Sequence, residues 1–69
     1  MKSIDARGLS CPEPVILIRN AMRSKEDAYE IVVDNPVSRE NVTRCARHQG
    51  YQVHVTERGD EFVLSITRQ

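Results

Sequence analysis

Residues 5–15 decide how this chain folds and where its chemistry lies; they read Asp5-Ala6-Arg7-Gly8-Leu9-Ser10-Cys11-Pro12-Glu13-Pro14-Val15. They place Cys11 where a predicted strand gives way to a predicted helix. Pro12 suits the first helical position, because its fixed φ fits a helix and its missing N–H would have no partner there. Cys11 is then expected at or beside the N-cap, where unpaired N–H groups and the positive end of the helix dipole favour an anion such as a thiolate. The stretch therefore contains a candidate nucleophile.

The residues that follow Cys11 moderate this expectation. Pro12 and Pro14 remove two first-turn donors, so the N–H groups of Glu13 and Val15 are the ones expected to face a thiolate. The Glu13 carboxylate opposes a negative charge on the neighbouring sulfur. A cysteine at a helix start can also be an ordinary small residue that only packs there. These residues alone leave both interpretations of Cys11 open.

The length and composition of the chain exclude several classes of protein. The 69 residues include ten basic and ten acidic side chains, no Trp, one Phe and two Tyr. This length predicts one domain over residues 1–69 with a small core. Neutral charge and few aromatic rings argue against direct nucleic-acid binding. No apolar run is long enough to cross a membrane and no signal-peptide segment opens the chain, so we expect a cytoplasmic protein that makes no membrane contact.

The two cysteines, Cys11 and Cys45, fall in different predicted elements. No Cys-x-x-Cys motif is present, which argues against thioredoxin-type dithiol chemistry, and a reducing cytosol disfavours a structural disulfide. Cys11 would therefore work as a single-cysteine site. Cys45 and His48 have metal-ligand spacing, but a structural zinc site takes more ligands than this pair provides. We predict no metal site.

Hydrophobic periodicity predicts the element order β-α-β-α-β-β. Strands are predicted at Lys2–Arg7, Ala28–Asp34, Tyr51–Glu57 and Glu61–Thr67, and helices from Pro12 to about Arg23 and from Pro36 to about Gln49. Right-handed crossovers put both helices on one face of the sheet. The predicted fold class is therefore α+β: a two-layer α/β sandwich with a mixed four-stranded sheet in the order 1-2-4-3.

The periodicity also predicts which side chains face the core. Ile16 is expected to point outward, and Val32 and Val63 to lie on the open face of the sheet, where a second copy or a further domain could cover them. The second helix is expected to turn Val42, Cys45 and Ala46 inward. The predicted core face of the first helix consists of Val15, Leu17, Ile18, Ala21 and Met22.

A candidate site follows from the parallel pairing of the first two strands. Their carboxyl ends meet at the same edge of the sheet, which is where ligands bind in open α/β sheets. Gly8 permits the tight turn that leads to the cysteine. The residues interpreted as flanking Cys11 are Gly8, Pro12, Glu13, Pro14, Asp34 and Asn35. Weaker candidates, for contacts with a partner, are Arg7, Ile16, Arg19 and Arg39, although such residues are more often simply solvated.

Two motifs resemble the TusA/SirA family of small sulfur-carrier proteins. The first is Cys11-Pro12-Glu13-Pro14 at the start of a helix, preceded by Asp5 and Gly8-Leu9. The second is Asp34-Asn35-Pro36, followed by Arg39-Glu40-Asn41-Val42 and Gly50-Tyr51. Within the family, the second half of the chain most resembles the N-terminal domain of YedF-type proteins, which are linked by name to selenium metabolism.

The resemblance implies a β-α-β-α-β-β fold and a cysteine, here Cys11, that carries sulfane sulfur as a persulfide without a cofactor. A cysteine desulfurase or another persulfide donor would load it, and a downstream DsrE-like sulfurtransferase would accept the sulfur. Family members act in tRNA thiolation, molybdenum-cofactor sulfur supply or sulfur oxidation, and the same thiol could carry selenium. YedF-type proteins usually continue into a DsrE-like domain. The basic residue that usually follows the position of Arg19 in the family is replaced here by Asn20.

The main alternative is a non-catalytic protein- or RNA-binding regulatory module, in which the Cys-Pro-x-Pro motif only caps a helix. The sequence leaves open whether a protein of this kind is counted as an enzyme.

Overall fold

The structure, a computed structural model, describes residues 2–68, and Met1 and Gln69 lie outside the described residues. Its elements are β1 (Lys2–Asp5), α1 (Glu13–Ala21), a 3-10 turn (Met22–Ser24), β2 (Ala28–Val33), α2 (Pro36–His48), β3 (Tyr51–Arg58) and β4 (Glu61–Arg68). The sheet has the order β1-β2-β4-β3. β1 and β2 are parallel, whereas β4 is antiparallel to both β2 and β3. The predicted α+β class and the predicted strand order are confirmed.

Strand β2 occupies a central place between β1 and β4. Its sequence alternates, and Tyr29, Ile31 and Val33 are fully buried on the helix side. Leu64 and Ile66 of β4, also fully buried, lie on the same side. β-Branched and aromatic side chains suit such a pleated, half-buried surface. This row of side chains forms the sheet half of the core.

The helices supply the other half of the core, and one residue that is predicted to be buried there is exposed. Ile18 and Ala21 of α1 are buried as predicted. The periodicity predicts that Leu17 is buried too, but 36% of its surface is exposed. At about 100° per residue, the buried stripe of α1 runs through Pro14, Ile18 and Ala21. Leu17 lies about 65° from the centre of that stripe. A helix this short buries only a narrow stripe.

Helix α2 begins with a capping interaction. Asn35 has an extended backbone, and its side-chain oxygen accepts a hydrogen bond of 2.8 Å from the Ser38 N–H. Pro36 then takes the first helical position, where its missing N–H costs nothing. The helix ends at His48, and Gly50 follows with φ +89°, in the left-handed region that favours glycine.

The other face of the sheet is mostly polar. Val32 and Val63 are register partners across β2 and β4 and lie outside the core cluster. Val63 is nevertheless only 9% exposed, so the expectation that it is open to a second copy or a further domain is wrong. Within residues 2–68, neither helix has the length and apolar character needed to cross a bilayer.

The cap of α2 generates a stability prediction. Asn35→Ala should lower the free energy of unfolding by about 1 kcal/mol, because the Ser38 N–H loses its partner. Asn35→Ser should retain most of the stability, since a serine oxygen can also cap. Asn20→Ala, at an exposed position of α1, is the matched control and should not destabilise the protein. Urea unfolding measures all three, and an Asn35→Ala variant as stable as the parent would contradict the role of this cap.

Candidate functional site

The loop from Ala6 to Pro12 is attached to the sheet before it reaches the cysteine. The Ala6 N–H donates to the Val32 carbonyl at 2.9 Å, which extends the pairing of β1 with β2, and Ala6 is fully buried. The Gly8 N–H then donates to Asp34 Oδ2 at 2.7 Å. Gly8 has φ +78° with open space where a Cβ would lie, so its backbone conformation, not crowding, calls for glycine. The structure thus brings Gly8 and Asp34 together at the predicted edge.

Helix α1 starts one residue later than predicted. The Ile16 N–H donates to the Pro12 carbonyl at 3.1 Å, which makes Pro12 the N-cap and Glu13 the first helical residue. The Glu13 N–H donates to the Ser10 carbonyl at 2.9 Å, closing a turn around the cysteine. Cys11 therefore lies just before the N-cap, joined to Pro12 by a cis peptide bond.

The sulfur of Cys11 is exposed and has one described hydrogen-bond donor. Asn41 Nδ2, on α2, lies 3.1 Å from Cys11 Sγ. The prediction that the Glu13 N–H faces the sulfur is wrong, because that group is used in the turn. Sequence reasoning missed Asn41; the available signal was its position four residues before Cys45, which puts both on one side of α2.

A groove between α1 and α2 leads away from Cys11. Its volume is about 600 Å³ and it is open to solvent. The residues that line it are Cys11, Pro12, Val15 and Arg19 on one side and Asn41, Arg44, Cys45, His48 and Gln49 on the other. We call this feature the interhelical groove.

Cys45 lies in the interhelical groove but in a different environment from Cys11. Its side chain is partly buried and packs against the core. Burial raises the pKa of the Cys45 thiol, and the positive charge of Arg19 only partly opposes this. Cys45 is therefore held in its neutral form at neutral pH.

The remaining residues that the sequence predicts to flank Cys11 are Asn35, Glu13 and Pro14. Asn35 caps α2 and donates through Nδ2 to Asp34 Oδ1 at 3.3 Å, so it acts on the loop through Asp34. Glu13 is exposed and Pro14 is buried in the core face of α1.

Two of the arginines predicted to contact a partner are engaged elsewhere. Arg7 forms ion pairs with Asp5 at 2.9 Å and with Glu61 at 3.1 Å. This contact holds the pKa of Asp5 at about 2 and raises that of Arg7 above its ordinary value. The guanidinium of Arg39 lies 4.8 Å from the centre of the Phe62 ring. Neither residue lines the interhelical groove.

Of the four residues predicted to contact a partner, only Arg19 lines the interhelical groove. Ile16, half exposed, lies in a neighbouring hollow that shares Arg19 and Gln49 with the groove. Among residues 2–68, no three His, Cys, Asp or Glu side chains are grouped closely enough to share a metal ion.

Known proteins resemble this chain in both sequence and structure. A family model described as "Sulfurtransferase TusA" matches residues 2–68. A protein of Archaeoglobus fulgidus described as "Putative sulfur carrier protein" is 33% identical over 66 residues, which is 93% of this chain and 86% of that protein. The crystal structure of a SirA-like protein from Desulfitobacterium hafniense matches with a TM-score of 0.90 and 32% identity, covering 97% of this chain and 96% of that one. The chain belongs to the TusA/SirA-like family.

Proposed function

We propose that this protein is a sulfur carrier that relays sulfane sulfur between two other proteins as a persulfide on Cys11. The observation that carries this proposal is the exposed Cys11 Sγ with the Asn41 amide 3.1 Å away, at the mouth of the interhelical groove. Membership of the TusA family and similarity to a protein described as a sulfur carrier support it.

The chemistry consists of two displacements at sulfur. The Cys11 thiolate attacks the outer sulfur of the donor's persulfide, the donor's S–S bond breaks, and the donor cysteine leaves as a thiolate. Cys11 now carries the outer sulfur as a persulfide. A thiolate on the acceptor attacks that outer sulfur, and Cys11 leaves as a thiolate. The net reaction transfers one sulfur atom from the donor to the acceptor, so no external oxidant or reductant is needed.

Asn41 supports both displacements from the same position. Negative charge is present on Cys11 Sγ before the first attack and develops there again when Cys11 leaves. A hydrogen bond to an ionised group is stronger than one between neutral groups. The amide of Asn41 therefore favours the charged sulfur at the start and at the end of the cycle.

The exposure of Cys11 determines what kind of partner it can meet. The sulfur lies on an open groove, in a loop that the Gly8–Asp34 hydrogen bond attaches to the residue directly after β2. Such a site suits a second protein that brings its own cysteine. We infer a cysteine desulfurase or another persulfide donor on one side and a DsrE-like sulfurtransferase on the other. Selenium, which follows the same displacement chemistry, is the alternative cargo.

The structural-cap alternative finds no support in the geometry of α1. The N-cap of this helix is Pro12, and among residues 2–68 no side chain makes a capping hydrogen bond there. Cys11 instead points its sulfur toward Asn41 of the other helix.

Persulfide loading tests the proposed function directly. Incubation with a cysteine desulfurase and cysteine should add the mass of one sulfur atom to the parent protein, and peptide mapping should place it on Cys11. Cys11→Ser should abolish this gain. Cys45→Ser, the matched control in the same groove, should retain it, because the Cys45 thiol is held neutral. No gain with several competent donors, or a gain that maps to Cys45, would refute the proposal.

The role of Asn41 is tested by alkylation of Cys11. Asn41→Leu should slow the reaction of Cys11 with iodoacetamide at neutral pH roughly fivefold, because the variant lacks the hydrogen bond that stabilises the thiolate. The thiolate without this bond is somewhat more nucleophilic, which offsets part of the loss. Asn41→Asp should slow it further through charge repulsion. Asn20→Leu removes an exposed amide from α1, outside the interhelical groove, and should react like the parent. Equal rates in all four proteins would show that the contact is unimportant.

A further inference from the structure

We propose that the interhelical groove receives an acidic segment of the protein that exchanges sulfur with Cys11, and that Arg19 and Arg44 hold its carboxylates. This inference rests on the proposed function, because it names the chemistry of the partner at the same site.

The charge of the interhelical groove is one-sided. Arg19 and Arg44 line it, and none of its described lining residues is Asp or Glu. The whole chain, in contrast, carries equal numbers of basic and acidic side chains. Positive charge is therefore concentrated beside the reactive sulfur of a neutral protein. Such a local field favours encounter with a segment of opposite charge.

The two arginines in the groove are available for a partner. Arg7 and Arg68 form ion pairs with carboxylates of this chain. Within residues 2–68, neither Arg19 nor Arg44 has such a partner, and both side chains are exposed. A guanidinium group binds a carboxylate through two parallel hydrogen bonds, which gives direction as well as attraction.

The position of Arg19 links the charge to the sulfur chemistry. Arg19 on α1 and Cys45 on α2 both line the groove, as does Cys11, so this positive charge shares one surface with the sulfur. Cys11 and Pro12 lie at one end and His48 and Gln49 are the last groove residues along α2. A segment that lies along the groove with its carboxylates near Arg19 and Arg44 would bring an adjoining cysteine to Cys11.

The shape of the groove favours a protein segment over other occupants. It is open, so it would leave a small molecule largely in solvent, whereas small-molecule sites bury most of their ligand. Its lining contains no Phe, Tyr or Trp on which a nucleobase could stack. Partly apolar surface from Val15 and Pro12 suits the backbone and stems of an extended peptide.

Disulfide exchange with synthetic peptides tests the charge preference. Each peptide carries one cysteine activated as a 2-pyridyl disulfide and flanked by Glu, Gln or Lys. Cys11 attacks the peptide sulfur, the peptide–pyridyl S–S bond breaks, and released pyridine-2-thione reports the rate, while peptide mapping locates the new disulfide. At low salt the Glu peptide should react about threefold to tenfold faster than the Gln peptide, and the Lys peptide should be slowest. High salt should remove the difference.

A matched pair of double variants separates the groove from net charge. Arg19→Gln with Arg44→Gln should abolish the preference for the Glu peptide. Arg23→Gln with Arg58→Gln removes the same charge from positions outside the groove and should keep it. The inference is overturned by rates that do not depend on peptide charge, or by equal losses in the two double variants. It is also overturned if an oligouridylate inhibits exchange as strongly as polyglutamate, since the groove would then be a general polyanion site.

A separate assay tests the proposed function without docking. Inorganic polysulfide needs no docking segment, so persulfidation of Cys11 by polysulfide reports only on sulfur carriage. A protein that carries sulfur but shows no peptide preference refutes the docking inference alone. A protein that prefers the Glu peptide but never takes up sulfur refutes the relay and leaves an acidic-segment binding groove.

Discussion

The hydrogen bond from the Gly8 N–H to the Asp34 carboxylate is the contact on which the arrangement of the site depends. It connects the two loops that leave β1 and β2 at the same edge of the sheet. Parallel pairing brings these loops to one edge, but only a direct bond fixes how the first of them turns toward α1. A carboxylate that accepts from a backbone N–H makes one of the stronger hydrogen bonds available on a protein surface. The left-handed backbone of Gly8 then directs the chain to Cys11.

Rigidity and exposure are supplied by different parts of the molecule. Ile18 and Val42, both fully buried, hold the two helices against the sheet. This packing determines where Asn41 stands relative to the sulfur, because the two residues belong to different elements. Cys11 itself remains exposed and contributes nothing to the core cluster. On the proposed function, an exposed sulfur that is positioned by buried residues elsewhere can meet a large partner without losing its orientation.

The sequence predicts the fold well and the site only in part, and the difference has a physical origin. Periodicity and turn residues act over a few positions, so they predict the strands, the helices and the strand order. Contacts between elements distant in the sequence leave no such local pattern. Arg7 binds Glu61, Arg39 lies over Phe62, and Asn41 reaches Cys11. The spacing of residues along the sequence predicts none of these pairs.

The start of α1 shows the same limit at short range. The sequence predicts Pro12 as the first helical residue and the Glu13 N–H as a donor to sulfur. The Ser10 carbonyl accepts that N–H, and the helix starts one residue later. A proline preference specifies a position only to within about a residue. The donor to the sulfur therefore comes from the second helix, not from the dipole end of the first.

Two cysteines in one groove could react with each other, and the environment of Cys45 disfavours that reaction. On the proposed function, attack by Cys45 on the inner sulfur of a Cys11 persulfide would form a disulfide and release hydrosulfide, so the cargo would be lost. Burial raises the pKa of Cys45 and keeps it a poor nucleophile, while the charge of Arg19 acts in the opposite direction. A partner carboxylate bound to Arg19 would neutralise that opposing charge. Docking of an acidic segment would then make Cys45 least reactive at the stage when the sulfur on Cys11 is being handed over.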